Sequence, residues 1–299
     1  MELSTNKQVQ APIEPAEEKV ISPWLESWRS FRKNKLAVIG ALIVLFFILL
    51  AIFAPLIAPE GINDQKLPKR LLAPSSEFWF GTDDFGRDIF SRVVYGARIS
   101  LWVGFLAVMG SIVVGCFLGI VAGYYGKWVD TVISRFFDIL LAFPSILLAI
   151  AIVAVLGPSL KNALIAIAII NVPNFGRLIR SRVLSVKQEE YIMAAKAVGM
   201  KNSRILFHHV MPNSIAPIIV QGTLAIATAI IEAAALGFLG LGAGAPDPEW
   251  GKMLSDARPF LIQAPWTMIF PGIAIMLTVL GFNLMGDGLR DALDPRMKN

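Results

Sequence analysis

This 299-residue chain is 56% hydrophobic and only 16% charged, with a mean hydropathy of +0.64. A water-soluble domain carries about 25% charged residues, so lipid is the solvent for much of the chain. The net charge of +5 matches basic residues collected on the cytoplasmic side of a membrane rather than a nucleic-acid partner, and the single cysteine, Cys116, excludes an intramolecular disulfide.

Residues 1–35 form a polar cytoplasmic tail. Its first part, rich in charge, Pro and Gln, favours disorder. WLESWRSFRKNK then reads as an amphipathic helix on the membrane surface, because Trp24, Trp28 and Phe31 recur at i, i+4, i+7 and basic residues follow. Residues 36–58 are uncharged and long enough to cross about 30 Å of hydrocarbon. The polar stretch before them and their length argue against a cleaved signal peptide. An extracytoplasmic segment, residues 59–98, contains GTDDFGRDIFSR. Here Asp83 and Arg87, like Asp84 and Asp88, stand four apart, and Thr82 or Asp83 can cap a short helix through Tyr95 with Phe85, Ile89 and Val93 as its apolar stripe. Two readings stand: an outer-face helix where a binding protein docks through Asp83, Asp84, Arg87 and Asp88, or a capped turn bracing the next span.

Five further spans follow in residues 99–299: 99–123; 139–157, starting a turn or two earlier near Ile133; 162–176, short and ending in NVPNFG; 214–241; and 264–286. Pro144 and Pro217 predict kinks in the third and fifth. The expected fold is all-α, a polytopic membrane protein with six transmembrane helices. Six spans put both termini on one side; with them inside, 18 of the 27 Lys and Arg are cytoplasmic, which favours that orientation.

Polar residues inside spans carry the functional candidates. Glu232 sits in TAIIEAAALGFLG, where a charge at a helix centre costs roughly 2.5–3.5 kcal/mol on insertion scales. It either lines a substrate route or hydrogen-bonds a neighbouring helix. Asn171, Pro173 and Asn174 mark either a hinge with two amides beside the translocation path or the end of the fourth span at the headgroups. Arg135 and Asp138 can pair on one helix face as an interfacial anchor. GFLGLGAG lacks the Gly-Lys-Ser/Thr of a phosphate loop and reads as close packing or a turn. His208 and His209, adjacent and so about 100° apart on a helix, do not form a zinc pair. No metal site, and no nucleophile or paired carboxylates for an enzyme, is implied.

Residues 177–213 are a cytoplasmic connection longer than helix–helix links of about two to eight residues require. QEEYIMAAKAV is a helix former with Glu189 and Glu190 near its start. Gly199 stands where a helix-ending residue belongs. Asn202 or Ser203 can cap a second helix, RILFHHVM, that must stop by Pro212.

AAKAVGMKNSRILFHHVMP resembles the signature cytoplasmic loop of ABC-importer permeases: Glu-Ala-Ala, three residues, Gly, and Pro thirteen positions later. Ala194, Ala195, Gly199 and Pro212 match; Met193 stands where the family has Glu, so no acidic contact is carried over. FGTDDFGRDIFSRVVYGARISL, PEWGKMLSDA and FNLMGDGLRDALDPR are similar, in order, to the C-type permease subunit of dipeptide and oligopeptide importers, the dipeptide type above all. The resemblance implies a type I ABC-importer transmembrane domain in a bacterial plasma membrane, importing di- or oligopeptides. It implies that Ala194, Ala195, Gly199, Met200, Lys201, Arg204 and Pro212 form a coupling-helix surface docked on an ATPase. The polar C-terminal GDGLRDALDPR is expected to cap the sixth span and to touch an ATPase. The implied partners are a B-type permease, two ATPase subunits holding ATP and Mg, and an extracytoplasmic solute-binding protein, with no cofactor on this chain. Nickel or glutathione import on the same architecture, and an ion-coupled secondary transporter using Glu232, are the alternatives.

Overall fold

The computed structural model describes residues 23–205, 208–209 and 211–293. The readings above for residues 1–22, for the side chains of Trp24, Asn202 and Ser203, for Leu206, Phe207 and Val210, and for residues 294–299 lie outside the described residues. The described chain is helical, with one isolated bridge between Thr82 and Asp88 as sheet-like pairing.

Surface helix α1 (Pro23–Lys33) does not lie free. Phe31 is buried against Ala37 of α2 (Lys35–Ile52) and Ala292 of α12 (Trp266–Leu293), while Trp28 stacks on Phe31 from outside. Asn34 caps α2 through Leu36 N–H and Ala37 N–H. The first span breaks at Phe53 into a one-turn helix α3 (Ala54–Ile57).

The second span is much longer than its apolar run. Helix α4 (Ile89–Tyr125) has 37 residues, about 55 Å. Exposed Trp102 and Tyr125 on it are about 35 Å apart along the axis, matching the interfacial aromatics of a membrane-crossing stretch. The turns before Trp102 therefore stand beyond the bilayer. The expected separate helix through Tyr95 is simply the start of α4.

The third span is not one helix. Helix α5 (Lys127–Leu141) and α6 (Ser145–Leu156) are bent by 94° at residues 142–144. Pro144 has no N–H to give and disfavours helical backbone in Phe143. Conversely, the fourth span does not end at NVPNFG: α7 (Leu160–Val186) continues through Pro173 for thirteen more residues. Five helices, α2, α4, α7, α10 (Met211–Phe238) and α12, are each long and apolar enough to cross a membrane, and the bent pair supplies a sixth crossing. Pro212, expected to stop a helix, lies in the first turn of α10, where a missing N–H costs nothing. The remaining helices are α8 (Glu190–Ala197), α9 (Asn202–Ile205) and α11 (Trp250–Ala257).

Alternating chain direction puts α1, the end of α12 and α8–α9 at one end of the bundle, the loop end. Residues 59–88 and α11 lie at the other, the cap end. At the centre α4 lies on α7 along Gly115, Gly119 and Gly123. A Cβ on Gly119 would stand 2.4 Å from Gly176 O, and one on Gly115 2.7 Å from Val172 O. Small residues every fourth position let two membrane helices touch backbone to backbone.

Candidate functional site

At the loop end, α8 is pinned from below. Ile192 and Ile205 are fully buried with Ile179, Val183 and Val186 of α7, and Met200 packs against the same cluster. Met193, Ala194, Ala197, Val198 and Gly199 face outward, Val198 being 89% exposed. Gly199 has φ 82°, and Met200 N–H donates to Ala195 O at 3.0 Å. This is the Schellman ending that stops a helix with a left-handed glycine. Lys201, Arg204 and Pro212 are exposed, and Ala195 is half-buried. Of the sequence-derived set, then, Met200 packs inward, Ala195 is half-buried and the other five are exposed.

Inside the bundle three helices meet at Glu232. Its carboxylate accepts a hydrogen bond from Asn171 Nδ2 of α7, 3.1 Å away, and lies near the side chain of Ser145, the first residue of α6. Asn171 also donates to Ile167 O. Asn171 is buried, but Asn174 is exposed and outside this junction. Asn171 lies eleven residues into α7, about 16 Å from its cap end, roughly half the hydrocarbon thickness. Ser145, an exposed residue, was missed in the sequence because only the break at Pro144 sets the start of α6 beside Glu232.

At the cap end the charged motif is consumed internally. Asp83 Oδ1 accepts from the backbone of Phe85 and Arg87, and Oδ2 pairs with Arg87 Nε at 2.6 Å. The i, i+4 pair thus closes a turn rather than a helix. Asp88 caps α4 through Ser91. Buried Arg92, missed in the sequence, donates to Ile62 O (2.9 Å) and sits 3.6 Å from Asp83. Asp84 alone keeps some exposure without a close ion pair; burial, then the charge of Asp83, raises its carboxyl above the usual range. Asp83, Arg87 and Asp88 are therefore engaged in bracing the turn before α4, with Arg87 and Asp88 buried.

The brace continues into α11. Glu249, 2% exposed, caps it by accepting from Gly251 and Lys252 N–H, and Trp250 donates to Val93 O of α4. Burial raises the Glu249 carboxyl. Gly237 leaves room for it: a Cβ there would stand 2.3 Å from Glu249 Oε2. Glu249→Ala is expected to lower stability by about 1–3 kcal/mol, since a cap is lost and buried N–H groups are left unpaired. A drop in the melting temperature of the purified chain checks it; an unchanged melting curve contradicts it. Among the described residues no cluster of His, Cys, Asp or Glu can hold a metal.

Residues 115–299 match the family described as the binding-protein-dependent transport system inner membrane component, and residues 22–74 match the N-terminal TM domain of oligopeptide transport permease C. The chain belongs to the binding-protein-dependent transport system inner membrane components. This inner membrane component is 67% identical, over 93% of its length and 92% of the relative's, to the dipeptide transport system permease protein DppC of Alkalihalophilus pseudofirmus. It is 47% identical to the glutathione transport system permease protein GsiD of Pectobacterium atrosepticum, over 95% of this chain and 94% of that one. An inward-facing structure of the MetNI methionine ABC transporter has the same fold, with a TM-score of 0.56 at 17% identity, covering 67% of this chain and 96% of that one. The protein is thus a multi-pass permease subunit of an ABC importer, a transport subunit rather than an enzyme.

Proposed function

We propose that this permease forms half of a translocation path for dipeptides or short oligopeptides, with its loop end in the cytoplasm. A B-type permease forms the other half, two ATPase subunits bind and hydrolyse Mg-ATP, and an extracytoplasmic binding protein delivers the peptide at the cap end. The observation that carries the reading is the α8–Gly199 surface: an exposed apolar face held rigidly over the bundle by buried Ile192 and Ile205. A rigid face on a helix pinned to α7 can pass on a displacement, which a solvated loop cannot. The Lys and Arg distribution supports cytoplasmic termini. Identity of 67% to a dipeptide permease supports the cargo, while 47% identity to a glutathione permease supports glutathione as the second reading. Uptake assays on the full complex with its binding protein, comparing dipeptides, glutathione and nickel, decide between them. Gradient-driven flux through this chain alone would overturn the reading.

Glu232 is the path residue in this account, a carboxylate for the peptide's ammonium group. Glu232→Gln keeps an acceptor for Asn171 and so keeps the junction. It is expected to reduce uptake about tenfold or more, in line with the loss of a charged hydrogen bond, and to abolish discrimination against N-acetylated dipeptides. Unchanged uptake and discrimination would leave Glu232 a helix-joining residue only.

A further inference from the structure

Helix α5 crosses the loop-end half of the bundle between two joints. Gly126, at φ 63°, is the single residue linking it to α4, and the 94° break at residues 142–144 links it to α6. Its middle is fastened to α7. The Phe137 ring is fully buried over Gly176, where an added Cβ would stand 2.2 Å from the ring. Arg180 grips Asp130 through both Nε and Nη2, the latter at 2.7 Å, and Arg177 Nη2 meets Asp138 Oδ1 at 2.6 Å. Arg135, whose spacing suggested an intrahelical anchor, is only a secondary partner of Asp138 at 3.6 Å.

All of these fasteners lie on one side of Pro173. Gly176, Arg177 and Arg180 belong to the half of α7 that runs directly into α8, whereas Asn171 belongs to the half that holds Glu232. A proline inside a helix removes one backbone hydrogen bond and makes a natural bending point. When the loop-end half of α7 tilts about Pro173, α5 must follow it. The next residue after the break, Ser145, then moves relative to Asn171 and Glu232, which lie on the other side of the bend.

We propose that α5 is the link that carries displacement of the coupling loop to the Glu232 junction, with Arg177 and Arg180 as its positioning residues. This rests on the reading of the loop as the ATPase-docking surface and of the Glu232 junction as part of the path. Both ion pairs are partly exposed, Arg180 at 32% and Arg177 at 51% of the side chain. Such pairs add little to stability, so variants that break them fold and assemble.

The test uses the complete complex in proteoliposomes, measuring peptide moved per ATP hydrolysed. Arg180→Gln and Arg177→Gln, singly and together, are expected to leave ATPase co-purification intact and ATP hydrolysis within about twofold. Peptide moved per ATP should fall about tenfold in the double variant, within the range for residues on a coupling route. Exchanging the charges, Asp130→Arg with Arg180→Asp, should restore at least half of the ratio lost in Arg180→Gln. An unchanged ratio in the double variant, or loss of uptake in strict proportion to ATP hydrolysis, overturns the proposal. So does failure of the exchange in a complex that assembles normally. Failure of the underlying reading looks different: Gly199→Asp would then leave ATPase binding and uptake untouched.

Discussion

Gly199→Val is expected to abolish ATP-driven uptake in a chain that still inserts into the membrane. The reason lies in the backbone. Gly199 has φ 82°, and a Cβ there would meet nothing within 4 Å, so crowding is not the objection. An L-residue in the left-handed region costs roughly 1–2 kcal/mol, and β-branched residues are the poorest fit. That penalty falls on an eight-residue helix, too short to hold its shape alone. Its terminal bond from Met200 to Ala195 opens, and the face of Ala194, Ala197 and Val198 shifts off its buried anchors. Two companion variants separate conformation from surface chemistry. Asparagine tolerates the left-handed region, so Gly199→Asn should retain substantial uptake. Gly199→Asp has a similar tolerance but sets a charge in the apolar face, so it should insert normally, weaken ATPase co-purification and lose uptake. Wild-type uptake in the Val and Asp variants would remove the loop from the coupling account.

Gly119→Leu is expected to be the most damaging single change to the fold. A Cβ at that position would stand 2.4 Å from Gly176 O and 3.2 Å from Arg180 N. Both are backbone atoms that cannot rotate away, so α4 and α7 must separate. Overpacking a rigid contact typically costs about 1–3 kcal/mol and sometimes more. Here the separation also lifts Gly176 from Phe137 and disturbs the neighbouring contacts of Gly115 and Gly123. Gly119→Ala should be milder but still measurable. Melting temperature in detergent and recovery of assembled complex check the order wild type, Ala, Leu. A Leu variant as stable as wild type would mean that the two helices do not meet as described.

The glycine row shows where sequence reading stopped short. Gly115, Gly119 and Gly123 are a period-four signal of helix contact that lay open in the sequence, yet it names no partner. The partner surface, Val172, Gly176 and Val183, carries no comparable row. The charged cap motif was partly legible for a related reason. Its spacing paired Asp83 with Arg87, but the same spacing serves a turn, and only the folded structure shows that this pair closes one. Prolines were the least legible residues. Pro144 breaks a span, Pro173 is absorbed inside one and Pro212 starts one, because a missing N–H matters only where the neighbouring carbonyls have no other partner.

What the sequence determined by itself is everything local or compositional: a membrane-embedded all-α chain, the helix-ending role of Gly199, the capacity of Glu232 to be costly in lipid, and the motifs of an importer permease. Those follow from solvent preference and single-residue backbone energetics, which need no partner to be known. The tertiary structure alone decided which groups meet: Ser145 and Asn171 at Glu232, Phe137 over Gly176, Arg92 and Glu249 as the hidden ties of the cap. Apolar helices in lipid have almost no hydrophobic preference for one neighbour over another. Their arrangement is set by shape and a few polar contacts between residues far apart in the chain, which only the folded structure brings together.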